Sequence, residues 1–261
     1  MEQNIDRILV MDLHGAMAHF RAFYTNSSSL TYSFPPRTVI TGLLAGIMGY
    51  PRDSYYREFS KERCRIALSI ISPFRKIMNT INYLWAKSSS DFVVRAGNPL
   101  QVQFESLIPG SGLKEWGELV YRIYIWHSDQ GILDNLAKRV RENKYVYPPY
   151  MGISEFIAEL ESVDDIHGDD IEVLESDQHQ DFATVINTDL IADRGLEFKS
   201  GVNMLQYLKE IMPVEFNADR SSRATGSFVF EKNLSNIRAI MTKPFVRIKG
   251  KNIAFMETDY E

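Results

Sequence analysis

The stretch FPPRTVITGLLAG, which begins at residue 34, combines groups that could bind a phosphate. Pro35 and Pro36 restrict the backbone ahead of a helical apolar pattern. Thr38 is a residue type that caps helix starts, where free N–H groups favour an anion. Arg37 could donate two hydrogen bonds to the same anion. The small residues from Thr41 onward would let a polynucleotide or a neighbouring subunit approach closely, although tight packing on a sheet is the alternative.

The loop before this stretch carries residue types that suit single-stranded RNA. Arg21 could bind a phosphate and the ring of Tyr24 could stack on a base, while small hydroxyl side chains such as Ser27, beside Asn26, could reach a 2′-hydroxyl. Phe20 and Phe23, in the same loop, are more typical of anchors in the hydrophobic core. The loop is therefore predicted to extend an RNA-binding surface that starts at Arg37.

A long interval at about 72–117 separates two predicted strands and exceeds a plain hairpin connection, which predicts an inserted subdomain. Cations spaced along a segment rich in aromatic and amide side chains can follow a kinked single strand. A charged surface hairpin without a ligand is the alternative. The residues predicted to contact RNA in this interval are Arg75, Lys76, Tyr83, Lys87 and Arg95.

The histidines raise the question of metal binding and catalysis. His14 and His19 flank the residues GAMA, but no third ligand follows at a suitable spacing, so we predict no metal and no cofactor. Metal-free RNA cleavage needs a base for the 2′-hydroxyl proton and a cation for the phosphorane. His127, together with Tyr50 or Tyr24, is the candidate for that chemistry.

Two further groups are predicted to be inert. Asp164, Asp165, Asp169 and Asp170 lie close together and could hold Mg²⁺, but acidic pairs of this kind are more typical of a solvated face. Such a face could also keep RNA off one side of the protein. The single cysteine, Cys64, lies in the apolar run CRIALSII, which indicates a buried thiol and excludes an internal disulfide framework.

The charge of the chain is unevenly distributed. Its 261 residues have a net charge of −5, but residues 1–150 carry 18 Lys and Arg against 13 Asp and Glu. Residues 151–200 carry 2 against 14, and residues 201–261 carry 9 against 7. The first half is thus mildly basic although the whole is acidic, which keeps nucleic-acid binding open. We see no export signal and no membrane-spanning apolar run, so we expect a cytoplasmic protein.

The elements that must position these residues follow from hydrophobic periodicity. The predicted order is strand, helix, strand, strand, helix, strand, which is the split βαβ arrangement of a ferredoxin-like α+β fold. The C-terminal 60 residues contain short strand patterns with turn signals, including a hairpin turn at KGKN with Gly250 at positive φ. The predicted ranges are strands at 7–14, 64–71, 119–127 and 153–160, and helices at 38–49 and 129–142.

Three segments together resemble one protein family. They are AHFRAFYTNSSSLTYSFPPRTVITGLLAGIMGYP after the first strand, RCRIALSIISPFRKIMNTINYLWAK, and KYVYPPYMGISEFIAEL at the end of the ferredoxin-like unit. The chain is similar there to the fifth numbered family of CRISPR-associated proteins, RAMP-type subunits at the foot of type I Cascade complexes. The resemblance covers about the first 165 residues, is closest to the type I-B branch, and beyond them rests only on general β-rich character.

The resemblance implies an RRM-like RAMP domain at 1–165 with a β-rich thumb inserted at about 72–117. An acidic connector and a C-terminal β-rich region would occupy 166–261. It implies a ribonucleoprotein subunit of antiviral defence that holds the 5′ handle of the CRISPR RNA (crRNA). Its implied protein partners are the Cascade backbone subunit and the large subunit, with target DNA met only inside the assembled complex and no membrane partner.

The resemblance also bears on catalysis. Most members cut nothing, whereas type I-C members are metal-independent ribonucleases with a tyrosine and an adjoining lysine–histidine pair. Here Trp126 precedes His127, so that pair is missing, although Tyr50 could supply the tyrosine. We therefore predict a noncatalytic RNA-binding subunit, with pre-crRNA cleavage as the alternative. A protein-only adaptor that docks its small helix face on another subunit is a third hypothesis.

Overall fold

The computed structural model describes residues 5–25, 28–84, 88–89, 99–110, 117–198 and 205–258. Among these residues no helix is both long and apolar enough to cross a bilayer. The helices are α1 (Arg37–Met48) and α2 (Gln130–Arg141). The strands are β1 (Arg7–Gly15), β2 (Phe20–Arg21), β3 (Thr31–Tyr32), β4 (Cys64–Ile70), β5 (Phe74–Leu84), β6 (Pro99–Pro109), β7 (Leu119–His127), β8 (Glu159–His167), β9 (Ile171–Leu174), β10 (Gln180–Phe182), β11 (Ile186–Asn187), β12 (Ile191–Glu197), β13 (Tyr207–Phe216), β14 (Ser222–Glu231), β15 (Ile237–Met241), β16 (Phe245–Ile248) and β17 (Lys251–Ile253).

The central sheet has the order β4-β7-β1-β8, with every neighbouring pair antiparallel. Together with α1 after β1 and α2 after β7, this is the ferredoxin-like arrangement that the sequence predicts. The run of apolar residues in β1 has a simple cause, since successive side chains point to opposite faces. Leu9 and Met11 pack with the helices, whereas Ile8 and Val10 pack with a second sheet, so both faces of β1 are buried.

The start of α1 differs from the prediction. The helix begins at Arg37, Pro36 occupies the N-cap position, and no side chain caps the first turn. Thr38 therefore lies inside the helix and does not cap it. Proline suits this boundary because it has no N–H to leave unsatisfied and its φ is already restricted. The helix ends at Gly49, whose φ of 84° lies in the left-handed region that glycine tolerates.

The fourth strand of the ferredoxin-like unit is also displaced, to 159–167 instead of 153–160. The preceding residues carry two prolines and Gly152, whose φ of 89° belongs to a turn. A Cβ at Gly152 would lie 2.0 Å from the carbonyl oxygen of His19, so the backbone crosses the β1–β2 loop there at close range. By contrast α2 is close to its prediction, with the Asp129 carboxylate capping it by accepting from the Gly131 N–H at 2.9 Å.

The interval between β4 and β7 forms an antiparallel hairpin of β5 and β6, paired from Phe74 with Pro109 to Leu84 with Pro99. This confirms the inserted β-rich subdomain. Hydrogen bonds join its base to the loop after β1, since the N–H groups of Ala18 and Leu107 donate to each other's carbonyl oxygens at 3.1 and 2.8 Å. The hairpin is therefore held by backbone as well as by side chains.

The C-terminal region is β-rich, as predicted, but its acidic part is more than a connector. Strands β9, β10 and β12 belong to a sheet of order β12-β15-β10-β17-β16-β9, which packs on the face of the central sheet opposite the helices. Its carboxylates are compatible with strands because cations pair with them, including Arg247 with Glu172 at 3.8 Å and Arg238 with Glu197 at 2.9 Å. A domain boundary near residue 165 stays a prediction.

A buried ion pair ties the two regions together. Arg37, at the start of α1, donates through Nε to Glu257, and both side chains are only 2% exposed. The Arg37 guanidinium also donates to the carbonyl oxygens of Phe59 and Cys64 at 2.9 and 2.7 Å. Glu257 in turn accepts from the N–H of Ile66 on β4. A buried charge requires a counter-ion and a full set of hydrogen bonds, because its removal from water is costly.

We expect Glu257→Gln to lower the free energy of unfolding by about 3–5 kcal/mol, because it leaves the Arg37 charge uncompensated in the core. Urea denaturation followed by circular dichroism measures the change. Arg52→Gln, which removes an exposed cation beside Asp53, is the control and is expected to unfold at the wild-type urea concentration. Equal midpoints for both variants would contradict a structural role for the pair.

Candidate nucleic-acid interface

A groove of about 520 Å³ runs beside the first turns of α1. Its walls come from α1, from the segment between α1 and β4, and from the end of β13 with the start of β14. We call it the α1 groove. The described residues that line it are Arg37, Thr38, Thr41, Tyr56, Arg57, Phe59, Ser60, Glu62, Arg63, Val214, Glu215, Phe216, Asn217, Ala218 and Arg223.

The α1 groove has the composition of a single-strand binding surface. Besides the buried Arg37, its described lining residues include three arginines against two glutamates, and one of these arginines, Arg63, lies 2.7 Å from Glu58. The rings of Tyr56 and Phe216 meet edge-to-face with centroids 6.5 Å apart. Arg57 and Arg223 are both exposed, so both guanidinium groups lie within reach of a ligand, although Arg223 also lies 3.7 Å from Glu215. Cations beside aromatic rings can take phosphates and bases of one strand together.

The residues predicted to bind RNA at this helix start differ in their exposure to the groove. Thr38 and Thr41 line the groove, although the Thr41 hydroxyl donates to the carbonyl oxygen of Thr38 at 3.1 Å. The prediction that Arg37 clamps a phosphate is wrong for this structure, because its guanidinium is occupied by Glu257 and by backbone carbonyls in the core. The charge nearest the helix start is thus a structural one, and the exposed cations come from elsewhere.

The small face of α1 is covered. A Cβ on Gly42 would lie 3.1 Å from the hydroxyl of Tyr55, and one on Gly46 would lie 4.0 Å from the Cβ of Tyr147. Every residue of α1 is buried or half-buried. Close packing, the alternative, accounts for the two glycines, whereas Thr41 lines the α1 groove. That RNA or another subunit approaches this face stays a prediction.

A second surface with residues suited to binding RNA lies at the base of the β5–β6 hairpin. Arg21 is exposed and Tyr24 is 59% exposed, as an RNA contact requires. Phe20 is buried as predicted, but Phe23 is exposed and meets Tyr24 edge-to-face, so Phe23 is not a core anchor. Both aromatic rings therefore present faces or edges to solvent beside a cation.

Lys76 is engaged within the protein. Its ammonium donates to the carbonyl oxygen of Thr31 at 2.6 Å and lies 3.2 Å from Glu210, whose carboxylate also accepts from Ser33. This contact docks the hairpin on the body of the protein. Arg75 is half-buried and Tyr83 is exposed, and their contacts with RNA stay predictions. Asn26, Lys87 and Arg95 lie outside the described residues.

His127 is unsuited to act as a catalytic base in this arrangement. Its side chain is fully buried, and Nδ1 accepts from the N–H of Asp129 at 2.9 Å. Nε2 therefore carries the proton and donates to the carbonyl oxygen of Glu58 at 3.0 Å. Burial lowers the pKa of His127 and raises the pKa of Tyr50. Both ring nitrogens of His127 are thus occupied inside the protein, and Tyr50 ionises less readily than a free tyrosine.

The other candidate groups have structural roles. His19 is buried, with Nδ1 2.7 Å from the carbonyl oxygen of Glu105 and its ring stacked on Phe104. Burial raises the pKa of the Cys64 thiol to about 12, as expected for an inert thiol. Asp165 accepts two hydrogen bonds from Arg7, at 2.8 Å each, and these hold the pKa of Asp165 below its usual range. In the part of the chain that the structure describes, no group of three or more His, Cys, Asp or Glu is arranged to hold a metal ion.

Sequence reasoning missed most of the α1 groove. Arg57, Arg63 and Tyr56 lie in YYREFSKER, a basic and aromatic run directly after the predicted helix. That composition was a usable signal. Arg223 and Phe216 come from the C-terminal third, and nothing local in their sequence points to a shared site with residue 57, because only the tertiary fold brings these segments together.

Comparisons with known proteins agree with this fold. A model of the family described as CRISPR-associated protein (Cas_Cas5) matches residues 8–223. A crystal structure of a CRISPR protein from Archaeoglobus fulgidus superposes with a TM-score of 0.56 at 12% identity, covering 97% of this chain and 100% of that chain. That similarity shows a shared fold. No curated protein sequence matches the chain.

Two further solved structures are similar over much of their length. A chain of a CRISPR RNA-guided surveillance complex has a TM-score of 0.49 at 14% identity, with coverage of 89% of this chain and 91% of that chain. A chain in a cryo-EM structure of the type III-B Cmr-beta complex bound to cognate target RNA and AMPPnP has a TM-score of 0.45 at 13% identity, with coverage of 89% and 86%.

We expect the free energy of unfolding to fall as the pH drops from about 7 to about 5.5. Burial lowers the pKa values of His19 and His127 below the usual 6.5. Below that value the unfolded chain binds more protons than the folded one, which favours unfolding, and above it the effect vanishes. Urea midpoints across this range measure the slope. It should be shallower in His127→Gln than in wild type, and equal slopes in the two proteins would contradict the assignment.

Proposed function

The chain belongs to the Cas5 family of CRISPR-associated proteins, whose model matches residues 8–223, and on this premise we propose that it is a noncatalytic RNA-binding subunit of a type I surveillance complex. It holds the 5′ handle of the crRNA and thereby nucleates assembly of the complex in the cytoplasm. Its protein partners are the backbone subunit and the large subunit, and it meets target DNA only within the assembly.

The observation that carries this proposal is the α1 groove. Arg57 and Arg223 come from segments far apart in sequence, yet they line one groove with the rings of Tyr56 and Phe216. A groove of about 520 Å³ is in the usual size range of binding sites for small ligands. Arginines suit phosphates because the guanidinium group can donate two parallel hydrogen bonds. One or two nucleotides of a single strand match these features.

The second surface, at Arg21 and Tyr24, extends the RNA path toward the β5–β6 hairpin. Its exposed cation and exposed ring supply the same chemistry as the groove, on a different part of the protein. Contacts from Arg75, Tyr83, Lys87 and Arg95 would continue this path along the hairpin. A handle bound at two surfaces would be fixed in orientation as well as in position.

Cleavage of pre-crRNA, the alternative function, is less well supported by the geometry. The buried state of His127 and its two hydrogen bonds favour a structural role. Tyr24 is exposed, but partial burial raises its pKa, so less of its phenol is ionised and able to take a proton at neutral pH. These features support the noncatalytic proposal.

We expect the double variant Arg57→Ala/Arg223→Ala to bind labelled repeat-spacer RNA more weakly, by roughly 1–3 kcal/mol for each phosphate interaction that the variant removes. The slope of log affinity against log salt should also become shallower, by about one for each phosphate that is no longer neutralised. Filter binding at several salt concentrations measures both. Arg21→Ala is expected to weaken binding in the same way, whereas Arg37→Ala tests stability instead.

The matched control for this experiment is Lys138→Ala/Lys251→Ala, which removes two exposed cations outside the groove. It carries the same change in net charge and should keep the wild-type affinity. A scrambled handle tests sequence dependence. If the groove variant and the control bind equally well, the groove is not the RNA site.

We expect repeat RNA to remain intact after prolonged incubation with the protein in EDTA. A denaturing gel, with 5′-end mapping of any product, measures this directly. A product with one defined new 5′ end that survives repurification would establish the endoribonuclease alternative. His127→Gln is the diagnostic variant in that case, because loss of cleavage with the circular dichroism spectrum and the RNA affinity of wild type would identify His127 as the base.

A further inference from the structure

A surface outside the α1 groove combines exposed apolar side chains with carboxylates. Val146, Tyr147, Tyr150 and Ile157 are exposed large hydrophobic residues of one segment, and Ile157 is 74% exposed. Tyr150 and Ile157 form a β-bridge, so their side chains belong to one compact turn of chain. We call these four residues the apolar patch. Isolated exposed hydrophobic residues are ordinary, but contiguous ones mark interaction surfaces.

An acidic cavity of about 650 Å³ adjoins the apolar patch, since Ala158, the residue after Ile157, lines it. Glu118, Glu159 and Glu161 line it, with His14 lying 3.5 Å from Glu118 and 3.6 Å from Glu161. The side chains of Glu118 and Glu161 are mostly exposed. Arg141, the last residue of α2, also lines the cavity, so its three carboxylates face one arginine, and the carbonyl end of the helix adds further negative potential. The cavity therefore favours a positively charged group.

The acidic cavity and the α1 groove lie at opposite ends of the central sheet, whereas the apolar patch adjoins the C-terminal half of α1, where Tyr147 packs on Gly46. Glu118 immediately precedes β7, whereas the N–H of Ser128, just after β7, donates to the carbonyl oxygen of Arg63 in the groove wall. The nine residues of β7 span about 30 Å between these points. RNA at the cationic end thus leaves the acidic end free.

We propose that the apolar patch and the acidic cavity together dock another protein subunit of the same complex. The matching segment of that subunit presents a lysine or arginine beside an apolar side chain, with the cation in the cavity and the apolar group on Tyr150 and Ile157. Carboxylates repel phosphates, so RNA is the wrong ligand for this surface. The proposal rests on the proposed function, since it assumes a multisubunit complex.

The test uses the full chain co-expressed with the other protein subunits of its CRISPR system and a crRNA, with native mass spectrometry of the purified assembly. Tyr150→Asp/Ile157→Asp is the patch variant. Val173→Asp is the matched control, because Val173 is also exposed, at 53%, but lies on β9 away from the patch. We expect the patch variant to lose one protein subunit at least tenfold while the control assembles fully. RNA affinity of the isolated chain should change less than twofold in both.

Charge reversal provides an independent measurement. Glu159→Lys/Glu161→Lys should weaken the same protein interaction at low salt, without affecting the folded state, because both side chains are exposed. Complete assembly with both the apolar and the charge-reversal variants would overturn the docking proposal. So would a large loss of RNA affinity, which would make the patch an RNA surface, or a wild-type dimer that the variants abolish. If the wild-type chain binds neither RNA nor subunits, the proposed function itself fails.

Discussion

The structure depends on one ion pair that is almost fully removed from water. Arg37 and Glu257 lie 220 residues apart in sequence, and each also satisfies backbone groups of the segment leading into β4. Because a lone buried charge is far less stable than a paired one, α1, β4 and the final residues of the described chain must adopt their positions together. The shape of the α1 groove depends on this constraint, since Arg37 is one of its lining residues.

Separation of charge along the central sheet gives the molecule two unlike ends. Arginines and aromatic rings gather where β7 finishes, and glutamates gather where it begins. The net charge of −5 does not reveal this separation, because it sums the charges of both ends. An electrostatic field of this kind orients an incoming polyanion toward one end before any contact forms. The same field keeps the other end available for a different class of ligand.

Local patterns in the sequence were sufficient for most of the fold. The apolar run of β1, the periodicity of α1 and the capped start of α2 each depend on nearby residues, so they were predictable. The fourth strand was misplaced because the apolar residues around Phe156 resemble a strand, whereas the turn at Gly152 and two prolines determine the backbone. The site was harder. Arg21 and Tyr24 are exposed, as expected from residues predicted to contact RNA. Arg37 is buried instead, and no local sequence pattern could have indicated its partner Glu257.

The distance in sequence between Arg37 and Glu257 has a consequence for synthesis on the ribosome. At typical elongation rates of about 5–20 residues per second, roughly 10–40 s pass between translation of the arginine and translation of its counter-ion. Once β8 has been translated, the N-terminal unit contains all elements of its central sheet but still lacks the carboxylate that pairs with Arg37 in its core. Folding of this unit therefore cannot finish before Glu257 has been translated.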